Sequence, residues 1–355
     1  MSSSPPIQAS IRTISLEPAS IPFTKIPAET AHDLSLGSLR ALNKVHLSSL
    51  LAPKVSNTPV EVMGIRFPNP VGLAAGLDKD ARYLDGLAAL GFGFIEVGTV
   101  TPLAQPGNPK PRMFRLSAKQ AIINRMGFNN DGVQALARRV ALANFEGVLG
   151  INIGKNKTTG EGEALNDYLK CLRNVYSLAS YVTVNISSPN TPGLRNLQQE
   201  DQLKHLLAGL KREQGALHHQ HDKYVPLTVK IAPDMDNETA AKTASTIKEQ
   251  GIDGVIVSNT TVERAAVDGE KYAREQGGLS GVPVRDDADR VLKAVAETVR
   301  SSVAIIGVGG INSGEDAARK IQLGADLVQV YTGFIYQGPK LIADSVRAID
   351  SVRLS

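Results

Sequence analysis

The 355-residue chain has one cysteine, Cys171, and no tryptophan. A lone cysteine excludes an internal disulfide and any zinc or iron–sulfur site built from several cysteines of this chain. It points to a compartment where disulfides are not needed. No apolar run approaches the 18 or more residues of a membrane-spanning helix. Hydrolytic motifs are also missing. There is no nucleophile elbow, and His32, His46, His205, His218, His219 and His221 all lie outside the β-rich runs. No pair of histidines has metal-ligand spacing at those runs, so a catalytic metal is not expected. What remains is a globular balance, with 42% hydrophobic and 21% charged residues, which excludes whole-chain disorder. The 32 glycines imply tight turns and close backbone approaches to a ligand. The net charge of +4 fits an anionic ligand or membrane surface, and nothing calls for nucleic acid.

Three segments emerge. Residues 1–27 are rich in proline and serine and read as a flexible lead-in without the pattern of a signal peptide. Residues 28–53 carry leucines three and four apart and fit two short amphipathic helices. Two readings stand for that pair: a cap packed on the main domain, or an interfacial element touching a membrane and an apolar substrate. Residues 54–355 form the main domain.

That domain has a regular beat. Eight short β-rich runs occur: VGLAAG, FIEVGTV, VLGINIG, YVTVNIS, PLTVKI, GVIVSN, AIIGVGG and LVQVYTG. Helix-like stretches separate them. Apolar strands alternating with helices imply a parallel sheet covered on both faces. Eight units in about 280 residues is the size of a (β/α)8 (TIM) barrel, here with a small N-terminal two-helix extension. An open doubly wound sheet is the rival, but it would not place polar motifs at the end of nearly every strand. In a barrel those ends meet at one face, where active sites form. The glycines after the last two runs suit phosphate binding through backbone amides. The remaining amides, hydroxyls and the lysines Lys79 and Lys230 suit a planar polar ring and hydride chemistry.

More than ten motifs in order now resemble one family. They include NPVGLAAGLDKD, GFIEVGTVTP, QPGNPKPRMFRL, INRMGFNN, GVLGINIGKNK, NISSPNTPGLR, VKIAPD, GGLSG and YTGFIYQGP. From about residue 60 to 350 the chain resembles the dihydroorotate dehydrogenases, specifically the membrane-associated class 2 enzymes that reduce a quinone. The resemblance implies oxidation of (S)-dihydroorotate to orotate in pyrimidine biosynthesis, with one FMN per chain. It places FMN against Ala75, Gly76, Leu77, Asp78, Lys79, Thr99, Asn152, Asn185, Lys230, Ser258, Gly281, Gly310, Tyr331 and Thr332. It places the substrate against Lys79, Asn124, Arg125, Met126, Gly127, Phe128, Asn185, Asn190, Asn259 and Thr260. Ser188 takes the C5 proton as hydride passes from C6 to flavin N5, and Lys79 stabilises charge on the pyrimidine carbonyls. Ser187 is the alternative base, and side-chain alternation leaves only one of the two facing the ring. His32, Arg115 and Tyr331 are the implied quinone contacts, and residues 28–53 the implied contact with the membrane surface. The implied protein is a monomer, peripheral on the cytoplasmic face of a bacterial inner membrane, with a mitochondrial inner membrane as the alternative. Two rival functions are weighed: a flavin barrel using NADPH and a cysteine acid, which this chain lacks at 187–190, and a non-redox barrel binding a phosphorylated ligand.

Overall fold

The computed structural model describes residues 26–45, 51, 53–300 and 302–354. A hairpin comes first, β1 (Val60–Val62) and β2 (Ile65–Phe67), turned by Met63 and Gly64 with φ of 56° and 70°. Two central residues at positive φ match the right-handed twist of the flanking strands. The chain then continues through β3 (Val71–Leu73), α2 (Leu84–Ala88), β4 (Phe94–Val100), β5 (Met113–Leu116), β6 (Ala121–Asn124) and α3 (Val133–Leu142). Next come β7 (Val148–Ile153), α4 (Ala164–Val175), β8 (Tyr181–Asn185), α5 (Glu200–His221), β9 (Leu227–Ile231), α6 (Asn237–Glu249), β10 (Gly254–Val257) and β11 (Gly278–Gly281). The last elements are α7 (Arg285–Val299), β12 (Ala304–Val308), α8 (Gly314–Gln322), β13 (Leu327–Val330), α9 (Thr332–Gln337) and α10 (Lys340–Arg353). One helix, α1 (Ala28–Lys44), precedes them all.

Eight strands close into a parallel barrel in the order β3-β4-β7-β8-β9-β10-β12-β13. These are the eight runs expected from the sequence. Their alternation builds two cores. Outward residues such as Ile95, Val97, Val182, Val184, Val229 and Val328 pack under the helices. Inward residues Phe94, Tyr181, Ile256, Ile306 and Leu327 fill the lower barrel, and the hairpin's Phe67 plugs its base against Phe94, edge to face at 5.1 Å. Two residues further along the same strands, the inward side chains turn polar: Glu96 on β4, Thr183 on β8, Gln329 on β13. The period of two carries a strand from apolar plug to polar mouth within one turn of the pleat.

A second sheet lies beside the barrel mouth. Strands β11-β6-β5 are antiparallel, with Asn124 paired to Gly278 and to Met113. No periodicity announces it, because four-residue strands have too few positions to show a period, and β11 lies far along the chain from β5 and β6.

Helix α1 follows the first amphipathic stretch. Ala31, Leu36 and Leu39 are buried, and Leu39 sits directly over Gly86 of α2, where an added Cβ would lie 3.1 Å from its Cγ. Each such leucine contributes roughly 1.5–3 kcal/mol by leaving water. Leu34, Val45 and Leu51 remain exposed. Most of the second expected helix falls on residues 46–50 and 52, outside the described residues, as does nearly all of the lead-in. Among the described residues no helix is long and apolar enough to cross a membrane.

Candidate active site

The C-terminal strand ends enclose a cavity of about 1040 Å³, counted with its open mouth. The loops place their side chains there because the barrel strands run parallel, so every strand delivers its end to the same face. From the expected residues it is lined by Ala75, Gly76, Lys79, Thr99, Asn124, Met126, Gly127, Phe128, Asn185, Ser188, Asn190, Lys230, Ser258, Asn259, Thr260, Gly281, Gly310, Tyr331 and Thr332.

The others lie behind or beside it. Leu77 is buried, and Asp78 caps its own loop by accepting from the amides of Arg82 (2.9 Å) and Tyr83 (2.7 Å). Asn152 is fully buried one layer down. It accepts from Thr99 Oγ1 at 2.6 Å and Asn185 Nδ2 at 3.2 Å. Arg125 turns away, to Glu275 at 2.6 Å and over the Phe114 ring at 4.7 Å. Arg115, on β5, donates to the Ile26 carbonyl at 2.6 Å, and so ties the sheet at the mouth to the start of α1. His32 projects from α1 into a low-dielectric setting. Burial first, then the Lys79 charge, hold its imidazole down at about 4, partly offset by Glu29 and the Leu77 backbone.

Ser187 and Ser188 separate clearly. Ser187 is fully buried, donates to Asn185 Oδ1 at 3.1 Å and accepts from Asn259 Nδ2 at 2.9 Å. Ser188 lines the cavity, and among the described residues its Oγ accepts only from the Asn190 amide, at 3.3 Å.

Beneath the cavity lies a group that the sequence reading passed over. Glu96, fully buried, accepts from Asn152 Nδ2 (2.8 Å), Tyr181 Oη (2.9 Å), Thr183 Oγ1 (3.1 Å) and Gln329 Nε2 (2.9 Å). Its signal was present: one carboxylate in the otherwise apolar run FIEVGTV. A buried carboxylate persists only with such partners. The network fixes Asn152, which in turn orients Thr99 and Asn185 at the cavity floor. Gln329, Ser280 and Ile311 are further lining residues that the sequence did not single out.

Several groups face the cavity without protein partners. Among the described residues, no carboxylate or carbonyl lies within hydrogen-bond distance of the Lys79 or Lys230 ammonium. Burial lowers the pKa of both. The Arg112 charge adds to the effect on Lys79, and Glu96 opposes it at Lys230. Gln329 Oε1 is buried and unpaired. Among the described residues, the amides of Gly309, Gly310 and Ile311 meet no acceptor. Gly310 has φ +77°, and an added Cβ would lie 2.4 Å from Arg285 Cα, so the loop tolerates only glycine there. Three free amides, two unpaired ammonium groups and an orphaned amide oxygen are the complement of a phosphorylated, nitrogen-rich planar ring with an anionic edge. The site fits a flavin mononucleotide.

A closed (β/α)8 barrel with a cation-bearing polar cavity at the C-terminal ends of its strands is the architecture of a barrel enzyme. Comparison with known proteins narrows the class. The family model described as dihydroorotate dehydrogenase matches residues 58–352, and the chain belongs to that family. It is 57% identical to a dihydroorotate dehydrogenase (quinone) of Saccharophagus degradans over 327 residues, 92% of this chain and 96% of that one. A protein of the same name from Cellvibrio japonicus is 55% identical over the same shares. Among solved structures, DHODH of Eimeria tenella in complex with ferulenol superposes with a TM-score of 0.84 at 36% identity, covering 92% of each chain.

Proposed function

We propose that this chain oxidises (S)-dihydroorotate to orotate on an FMN held in the barrel mouth, with a membrane quinone as final electron acceptor. The observation that carries the reading is the cavity itself, which gathers Ser188, four asparagines and two unpaired ammonium groups from loops spread over more than 180 residues. Family membership and the quinone-linked names of the relatives support it.

The amides of Gly309, Gly310 and Ile311 would hold the FMN phosphate, with the Thr332 hydroxyl to assist; all four residues line the cavity. Lys230 would stabilise negative charge at the pyrimidine edge of the ring, and Thr99 and Asn185, which line the same cavity, would hold that ring. Bound there, a flavin would supply the hydride-accepting chemistry needed at C6 of the substrate. Asn124, Asn190, Asn259 and Thr260 orient dihydroorotate by its ring amides and carboxylate, while the Met126–Phe128 backbone covers it. Lys79 stabilises charge that develops on the pyrimidine carbonyls as the C5 proton departs. Ser188 Oγ accepts that proton while its own hydroxyl proton passes on to solvent water. Among the described residues its Oγ accepts one hydrogen bond, from the Asn190 amide, which leaves it a second lone pair. Serine is a weak base, so the step depends on its placement.

On the outer side, α1 carries His32 beside Lys79 and presents Leu34 outward. With Arg115 and Tyr331 it forms the approach for a quinone head, and the segment 28–53 rests on a membrane surface. The protein acts as a monomer, peripheral to the cytoplasmic face of a bacterial inner membrane.

Ser188→Ala tests the chemical assignment. Flavin reduction by dihydroorotate under anaerobic conditions should slow by about 10²–10⁴-fold with FMN content unchanged. Reduction at the rate of the unaltered protein would remove Ser188 from the mechanism.

A further inference from the structure

The loop that carries Ser188 has little backbone pairing of its own. Residues 186–193 form no strand or helix, and the Ser187 amide is satisfied by a side chain, Asn185 Oδ1. Its position must therefore be set by side-chain contacts. Arg195, just beyond it, supplies them. The Arg195 Nε donates to the Ser187 carbonyl at 3.0 Å, Nη2 donates to the Thr260 carbonyl at 2.9 Å, and Nη1 pairs with Asp234 at 2.7 Å. Asp234, in the loop after β9, accepts with its other oxygen from Thr261 Oγ1 and from the Val262 amide at 3.1 Å. One ion pair thus joins the loops that follow β8, β9 and β10. Neither member lines the cavity, and their side chains are 23% and 13% exposed.

The two bonds to backbone carbonyls end at or next to a cavity residue. Ser187 immediately precedes Ser188, and Thr260 itself lines the cavity beside Asn259. A guanidinium is a rigid planar fork, so bonding three acceptors from three loops fixes their relative positions. A lysine ammonium is a point charge on a flexible stem and imposes no such fixed geometry.

We infer that Arg195 and Asp234 form a clamp that holds Ser188 in register with Asn259 and Thr260, making Arg195 a positioning residue for proton removal. The inference rests on the reading of Ser188 as the base. A displacement near 1 Å costs on the order of 10²-fold in rate for a reaction that depends on alignment. The clamp acts on the reductive half-reaction alone, because the quinone approach lies on the opposite side, at α1 and β5.

The test uses full-length, FMN-loaded protein carrying Arg195→Gln, Arg195→Lys, Asp234→Asn or the Gln/Asn pair, with Ser188→Ala alongside. Rapid mixing measures anaerobic flavin reduction by dihydroorotate and by its C5-deuterated form, then reoxidation by quinone. Arg195→Gln should reduce its flavin about 10²-fold more slowly, with a larger C5 isotope effect and reoxidation within twofold of normal. Arg195→Lys should regain part of the rate, and the double variant should be no slower than the slower single one, as expected of groups acting as a unit. Should Arg195→Gln fail to fold, Asp234→Asn, of the same shape, carries the same test. Unchanged reduction, or equal slowing of both half-reactions, would overturn the clamp. Normal reduction in Ser188→Ala would instead overturn the assignment of the base and leave the clamp without a client.

Discussion

At the scale of single residues, chemistry here is set by what surrounds a group more than by its identity. His32 shows this. It lies on an amphipathic helix, and burial and the nearby Lys79 charge hold it at about 4. The unfolded chain, with an ordinary histidine near 6.5, binds the extra proton first as pH falls. The contribution of His32 to stability is therefore fully present above pH 6.5 and is lost between 6.5 and 4, by an amount on the order of 3 kcal/mol at most. Because the charge appears on α1, the loss should show as loosening of that helix. Hydrogen exchange of α1 amides should accelerate on acidification through this window, and His32→Gln should flatten the response. An unchanged pH dependence in the variant would mean that His32 is not the group responsible. Glu96 makes the complementary point. Its isolation in an apolar strand was visible in the sequence, but its four donors come from β7, β8 and β13, and only closure of the barrel brings them together.

At the scale of elements, α1 is fastened at two kinds of contact. Leu36 and Leu39 bury into the core, and Glu29 receives Arg112 at 2.7 Å while Arg112 also donates to the carbonyls of Pro106 (2.7 Å) and Asn108 (2.9 Å). The ion pair is largely buried, with side chains 15% and 7% exposed, so removing one partner leaves a charge without its counterpart. Glu29→Ala should loosen α1 without disturbing the barrel. Reoxidation by a long-tailed quinone should then require a several-fold higher quinone concentration, while anaerobic flavin reduction stays within twofold. Slowing of both half-reactions to the same extent would make α1 a structural cap only. The same element shows where sequence periodicity stops being informative. The leucine spacing announced a helix, but the anchor is a glutamate on its first turn paired to an arginine 83 positions later.

At the scale of the whole molecule, the barrel was legible because its signal repeats. Eight apolar strands, each ending in a polar motif, state the same instruction eight times, and the structure places all eight in one closed sheet. Most of the cavity was legible for the same reason, since a residue at a strand end inherits its location from the topology. What was hidden belongs to contacts without a period: the short β5–β6–β11 sheet, the Glu96 network, the turning away of Arg125 to Glu275, and the Arg195–Asp234 clamp. The family resemblance named Arg125 and Asn152 with the cavity residues, and the geometry places one outside the pocket and the other beneath its floor.

The central claim is that one cavity joins substrate, flavin and quinone in sequence. Anaerobic titration of the purified, full-length protein tests it most directly. Stoichiometric dihydroorotate should bleach one bound FMN per chain, NADPH should not, and added quinone should restore the oxidised spectrum. Protein that binds no FMN, or that is bleached by NADPH and not by dihydroorotate, would contradict the account.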